Sequence, residues 1–549
     1  MCKSPFFLMS RSMLFLLLMT WLPFHICGQP FTRSDSLRGT LSKHRAAYDV
    51  SFYDLNLKVN PGQLSISGSN TIHYEVAQDF QKLQVDLFAN MRIDSIIADN
   101  QQLHFEREGD AVFVAFPSVQ RKGSSGTIKI YYRGNPIEAE RPPWDGGFVW
   151  QKDANGKDWI GVACEGVGAS LWWPNKDHLS DEPDSMKITC AVPNGLMCVA
   201  NGNLIQTEQV GEDYQSFTWF VQYPINNYNV SLNIGDYAHI HDIYYSADGE
   251  GLSLDYYVLK YNEERAKEHF GQVHEMLSCF EKSYGKYPFW DDGYALVETP
   301  YWGMEHQGAI AYGNDYKNNE FGFDFIIVHE SAHEYWGNSI SVSDHAEMWI
   351  HEAFTTYAEA LYIECKDDYT TAIQYLLTQK PKIQNKQVIL GPMGVNYSGW
   401  EDADMYYKGT WMLHSIRNTV NDDSLWHATI KKMYQHFAYQ HVTTEDVIAY
   451  MSSATGRDLQ PIFDLFLNYT AVPTLEYRIR KAKRGKYTLE YRWNTPVKGF
   501  NMGMRYYEGL GESSLVYPSD TWQEATLTSR EGLTFASELF YFEASEIKW

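Results

Sequence analysis

Two histidines four residues apart lie in the segment Phe325-Ile-Ile-Val-His329-Glu330-Ser-Ala-His333-Glu-Tyr-Trp-Gly337-Asn338. The apolar run before the first histidine suits a buried helix, and Gly337-Asn338 suits a helix end. Positions i and i+4 share one helical face, so both imidazoles can meet a single Zn2+. Glu330 follows the first imidazole directly and is offset around the helix, where its carboxylate reaches a water at the metal rather than the metal. Random placement gives on the order of 0.03 matches to this pattern in a chain of this composition. The competing reading is a pair of core histidines on a helix.

A hydrolytic zinc site needs a third protein ligand and one open position. Glu352, nineteen residues after His333, is the candidate. It sits in Glu347-Met-Trp-Ile-His351-Glu352-Ala-Phe-Thr-Thr-Tyr-Ala-Glu359, which reads as a second helix. Glu359 lies two turns further along the same face, where a carboxylate either orients a histidine ligand or meets solvent. By chemistry alone His351 competes with Glu352 as the third ligand.

These residues and three further blocks resemble the gluzincin aminopeptidases, the group of aminopeptidase N and the leukotriene hydrolase. Gly303-Met304-Glu305 is similar to the family's Gly-x-Met-Glu-Asn exopeptidase motif. Trp349 to Glu359 is similar to its Trp-Leu-Asn-Glu-Gly-Phe-Ala-x-Tyr-x-Glu block, and Tyr406-Tyr407-Lys408-Gly409 to its Tyr-x-Lys-Gly block. The likeness runs over roughly residues 45–475. It implies one Zn2+ per chain on His329, His333 and Glu352, with Glu330 as general base. It implies that Tyr406, rather than the adjacent Tyr407, stabilises the charge developing on the substrate carbonyl oxygen. Glu305, and with a weaker match Glu165 in Cys164-Glu165-Gly-Val-Gly-Ala-Ser-Leu-Trp-Trp-Pro174, would pair with the free ammonium of a peptide substrate. Gly303 and Met304 would lie along that substrate.

The pattern also departs from the family. His306 replaces the Asn of the exopeptidase motif and Trp302 its first Gly, which bears on the pocket for the substrate's first side chain. Ala353 and His351 replace the residues flanking the third ligand. The large helical C-terminal domain of longer relatives has no counterpart, so an open cleft tolerant of longer peptides is expected. Two alternatives to an aminopeptidase are a lipid-epoxide hydrolase on the same zinc site and a non-catalytic peptide-binding derivative. The second would be expected to have lost at least one of the five central residues.

The elements that position these groups fall into three parts of an α+β chain of 549 residues. Residues 45–240 alternate in β fashion and predict an antiparallel β domain, as in Gly126-Thr-Ile-Lys-Ile-Tyr-Tyr-Arg133. Residues 241–472 become mostly helical and, by the resemblance, thermolysin-like. Residues 473–549 return to short strands, a small C-terminal β domain. Lys3 and Arg11 followed by the apolar Met13–Phe24 run have the proportions of a signal peptide, residues 1–28. The expectation is an exported protein, periplasmic or secreted, with a lipid anchor at Cys27 as the alternative. No other apolar stretch approaches 18 residues, so no membrane-spanning helix is expected in the mature chain. A net charge of −24 argues against a nucleic-acid partner and favours cationic peptide N-termini. Seven cysteines are too few for a disulfide scaffold. Cys190 and Cys198 flank Pro193-Asn-Gly195, either as a disulfide across a hairpin or as two unpaired core thiols.

Overall fold

The computed structural model describes residues 31–483, 486–509 and 513–548. The segment read as a signal peptide, Cys27 included, lies outside the described residues. Among the described residues, no helix is long and apolar enough to cross a membrane.

The N-terminal part is built on an eight-stranded sheet. Its central strand, Tyr48–Asn60, buries Tyr53, Leu55, Leu57 and Val59 on one face. A bulge between Val50 and Phe52 shifts the register, so Tyr53 rather than Phe52 joins Val50 in the core. The sheet is antiparallel except where Tyr48–Asn60 meets Ser185–Pro193 in parallel. A three-stranded sheet and a four-stranded sheet complete this β region.

A five-stranded sheet links this region to the helices, in the order Tyr237–Tyr245, Gly251–Leu259, Tyr294–Glu298, Ile310–Tyr312, Gly303–Met304. One face, with Tyr257, Val297 and Ala311, joins the core of the N-terminal β region. The other, with Tyr256, Leu296 and Ile310, joins the helical core. Burial on both faces explains why Tyr294-Ala-Leu-Val-Glu298 is apolar at four successive positions instead of alternating. Gly303–Met304 is the edge strand, leaving one side of its backbone free to meet an extended chain.

The C-terminal strands do not close on a core of their own. Leu475, Leu489, Trp493, Met504 and Phe540 belong to the same apolar cluster as the helices. This β segment packs instead against the helix Asp404–Val420. The Tyr541 amide donates to Ser415 Oγ at 3.0 Å, and the Gly503 amide to Thr419 Oγ1 at 3.0 Å.

The cysteines resolve in favour of the two thiols. Cys190 and Cys198 are free, buried, and on strands of different sheets. Among the described residues, a disulfide joins Cys279 to Cys365 across a separation of 86 residues. It ties the helix Gln272–Ser283 to the end of the helix Trp349–Lys366.

Candidate active site

The helix Phe325–His333 begins where the Asp324 carboxylate accepts the Ile326 amide. It ends four residues before Gly337, earlier than the sequence suggests. Asn338, beyond the helix, instead braces the edge strand. Its Nδ2 donates to the Glu305 carbonyl at 2.8 Å, while its Oδ1 accepts from Asn229. The helix Trp349–Lys366 packs alongside and brings Glu352 to both histidines. One donor atom from each of His329, His333 and Glu352 lies within 4.8 Å of the other two. Glu352 Oε2 is 3.8 Å from His329 Nε2 and 3.5 Å from His333 Nε2.

The far side of each ring is fixed. His329 Nδ1 bonds Glu359 Oε1 at 2.7 Å, and Glu359 also accepts from Tyr375 and Gln379. His333 Nδ1 lies 3.0 Å from the Trp336 carbonyl and 3.1 Å from Thr355 Oγ1. Both Nε2 atoms are therefore the ones turned toward Glu352. The same helix turns His351 away. Its Nε2 accepts the Val342 amide at 3.2 Å, so the competing third ligand is occupied in holding the strand Ile340–Val342.

Glu330 faces Gly303 on the edge strand. A Cβ at position 303 would lie 2.5 Å from Glu330 Oε1 and 2.9 Å from Ile326 Cγ2, so glycine is what allows the carboxylate to approach that strand. Glu305, 3% exposed, accepts the Tyr228 phenol at 3.0 Å. Glu165, half-buried, lines the same cleft. Its loop is held at Gly166, whose carbonyl accepts from Arg38 at 3.1 Å and from Asn396 at 2.7 Å.

Tyr406 opens the helix Asp404–Val420, and its ring stacks 6.2 Å from His329. Its motif neighbours set that helix in place. Lys408 Nζ reaches the Tyr469 carbonyl at 2.7 Å, and Gly409 faces Ala353, where a Cβ would come within 2.6 Å of the alanine Cβ. Ala353 is tolerated on the ligand helix because its partner position is glycine. Tyr407 also lines the cleft, with its hydroxyl accepting from Lys382 at 3.4 Å.

These groups enclose a cleft of about 610 Å³. Its electrostatics are strongly one-sided. Burial pushes up the carboxyls of Glu165, Glu305 and Glu330, and Glu352 raises each further. Burial alone would depress the His333 imidazole, but Glu352, Glu305 and Glu330 outweigh it and lift it to about 10. The cleft therefore favours cations. Arg141, on its rim, is already paired with Asp145 at 2.7 Å.

The two departures in the exopeptidase motif fall in different places. His306 is buried, outside the cleft lining, and burial depresses its imidazole to about 3. Trp302 is 43% exposed and forms part of the cleft wall. Tyr228, Asn338 and Thr355 also serve the site, yet their partners lie 77, 33 and 22 residues away, beyond any local spacing pattern.

Residues 270–466 match the peptidase family M1 domain. The chain carries an M1 domain. That domain contains both ligand helices, Glu305 and Tyr406, while Glu165 comes from the β region before it. The chain is 21% identical over 455 residues to aminopeptidase N of Lactobacillus helveticus, covering 77% of this chain and 51% of that protein. It is 24% identical over 276 residues to mouse aminopeptidase B, covering 47% and 40%. It thus spans about half the length of the first of these relatives. A variant of the M1 zinc metallopeptidase of Deinococcus radiodurans, solved with a Tyr-Ser-Ala substrate, has a TM-score of 0.67 at 20% identity. That alignment covers 80% of this chain and 99% of the Deinococcus chain. At this identity the likeness establishes the fold: an N-terminal β-rich part followed by a helical domain.

Proposed function

We propose that this chain is a zinc-dependent aminopeptidase that removes residues from the free N-termini of peptides. The observation that carries the reading is Glu305, a buried carboxylate directly after the edge strand Gly303–Met304 and in the same cleft as the His329–His333–Glu352 cluster. Among the described residues its side-chain partner is the neutral phenol of Tyr228, not a lysine or arginine. A peptide α-ammonium supplies the missing charge, and Glu165 in the same cleft adds a second carboxylate for it.

The donor set fits zinc. Two imidazole nitrogens and one carboxylate form a three-ligand site with a place left open. Glu352 Oε2 is buried and has no hydrogen-bond partner among the described residues, as suits an atom meant for a cation. When bound there, zinc polarises the scissile carbonyl and makes a water nucleophilic at neutral pH.

The chain's own groups supply the rest. Glu330 takes the proton of the attacking water on its carboxylate and passes it to the departing amine. The Tyr406 hydroxyl donates to the carbonyl oxygen as that oxygen becomes negative. The Gly303–Met304 edge holds the peptide extended, and Glu305 and Glu165 fix its first residue, so one residue leaves at a time. The Deinococcus structure, with its Tyr-Ser-Ala substrate, supports a peptide as the class of substrate. For export, the support is the Cys279–Cys365 disulfide, of a kind that persists in oxidising compartments.

A panel of aminoacyl fluorophores tests the reading. We expect at least one to be hydrolysed, with activity abolished by a zinc chelator and restored by Zn2+. Hydrolysis indifferent to the chelator would defeat it. A second expectation concerns Gly303. Gly303→Ala places its Cβ 2.5 Å from Glu330 Oε1 and 2.9 Å from Ile326 Cγ2, so the flexible carboxylate must swing away and the Ile326 side chain must give by a few tenths of an ångström. We expect kcat to drop by about 10- to 100-fold, since misplacing a catalytic group by an ångström is that costly. Thermal melting should change little; unchanged kcat would mean that Glu330 does not act from this position.

A further inference from the structure

We propose that Trp302 and Trp144 form a clamp for a large apolar or aromatic side chain on the residue that follows the cleaved bond. The proposal rests on the aminopeptidase reading and adds a downstream selectivity to it. Several of the chain's indoles are fully buried, among them Trp172, Trp173, Trp336, Trp349 and Trp411. Trp302 and Trp144 are 43% and 66% exposed, and both line the cleft.

Together they continue a staircase of rings that starts at a candidate metal ligand. Phe325 stacks on His329 at 5.1 Å and 26°, and Trp302 stacks on Phe325 at 5.6 Å and 27°. Trp144 then faces Trp302 at 6.4 Å and 46°. Trp302 is anchored through its own ring, Trp144 through the turn that carries it. Trp302 Nε1 donates to Asn314 Oδ1 at 3.0 Å, and the turn carrying Trp144 is closed by the Arg141–Asp145 pair. Rings held this way offer apolar area at little cost in conformational entropy.

The order of residues along the edge strand fixes which part of the peptide they meet. Glu305 takes the ammonium, and Gly303 lies beside Glu330, hence beside the bond being cut. Trp302 is one step further from Glu305, on the leaving-group side. Trp302 and Glu305 flank the two-residue strand Gly303–Met304 at its opposite ends, so an extended peptide held by Glu305 at its first residue runs past Trp302 with the residues that follow. A phenyl or branched aliphatic side chain there packs on Phe325 and Trp302, with Trp144 closing over it. Glycine at that position leaves the rings in water.

A contact that only fastened the N-terminal β region to the M1 domain would alter melting and leave selectivity untouched. The test compares Ala-Phe-Ala with Ala-Gly-Ala on the zinc-loaded protein, in the wild type, Trp302→Gly and Trp144→Ala. kcat/KM is measured in each background, and dissociation constants by calorimetry in the same backgrounds carrying Glu330→Gln. We expect about a tenfold or greater advantage for Ala-Phe-Ala in both quantities, falling below about threefold in each tryptophan variant. Absence of the advantage in the wild type, or its persistence in both variants, would overturn the clamp. If neither peptide is cleaved yet the binding ratio behaves as stated, the aminopeptidase reading fails, and the two tryptophans stand only as a binding site for the peptide's second side chain.

Discussion

Glu330→Gln is expected to lower kcat by about three orders of magnitude while the protein keeps one zinc per chain. The amide has the shape of the carboxylate it replaces, so packing against Gly303 and Ile326 is preserved, as are the ligand positions one residue before it and three after. What is lost is a group able to accept a proton. Burial pushes the Glu330 carboxyl well above its ordinary range, with Glu305 and Glu352 adding to the effect, which makes it a stronger base than an exposed glutamate. General bases contribute about 10²- to 10⁴-fold, or roughly 3 to 5 kcal/mol of barrier. Turnover is read with the best substrate of the fluorophore panel, and metal content by elemental analysis. Full activity in a zinc-loaded Glu330→Gln protein would remove the general base from the mechanism.

Tyr406→Phe is expected to reduce kcat by about 10²- to 10³-fold and to leave KM nearly unchanged. The ring, its stacking on His329 and the helix start are retained; only the hydroxyl goes. Because its hydrogen bond strengthens as the carbonyl oxygen becomes charged, the loss falls on the transition state. Burial, reinforced by Glu352, raises the Tyr406 phenol well above its usual range. The O–H form therefore persists throughout the neutral and mildly alkaline range, and the donor is present wherever the enzyme works. Steady-state kinetics check the split between kcat and KM. An unchanged kcat would transfer the role to Tyr407, whose hydroxyl already accepts from Lys382.

The parts of the site that could be read in the sequence are those set by local periodicity. His329, Glu330 and His333 share one short helix, and Glu352 and Glu359 share another, so 3.6-residue spacing predicts their faces. Chemistry alone does not choose between His351 and Glu352. The choice depends on helix rotation, which the bond from the Val342 amide to His351 makes visible. Nor could spacing find Tyr228 or Asn338, which reach Glu305 from segments distant in sequence, or pair Cys279 with Cys365. The strands after Pro473 read as a separate β unit because their pattern is strand-like. Their apolar faces complete the helical core instead, a matter of tertiary surface rather than sequence period.

The central claim is that the cleft recognises a free peptide N-terminus beside a zinc site. Two peptides identical except for an acetyl group on the first nitrogen test it most directly. Acetylation removes the charge that Glu305 and Glu165 are placed to meet and leaves those carboxylates without a cation to pair with. The account predicts that the free peptide is shortened by one residue and that kcat/KM for the acetylated one is at least about 10³-fold lower. Equal rates for the two would contradict it.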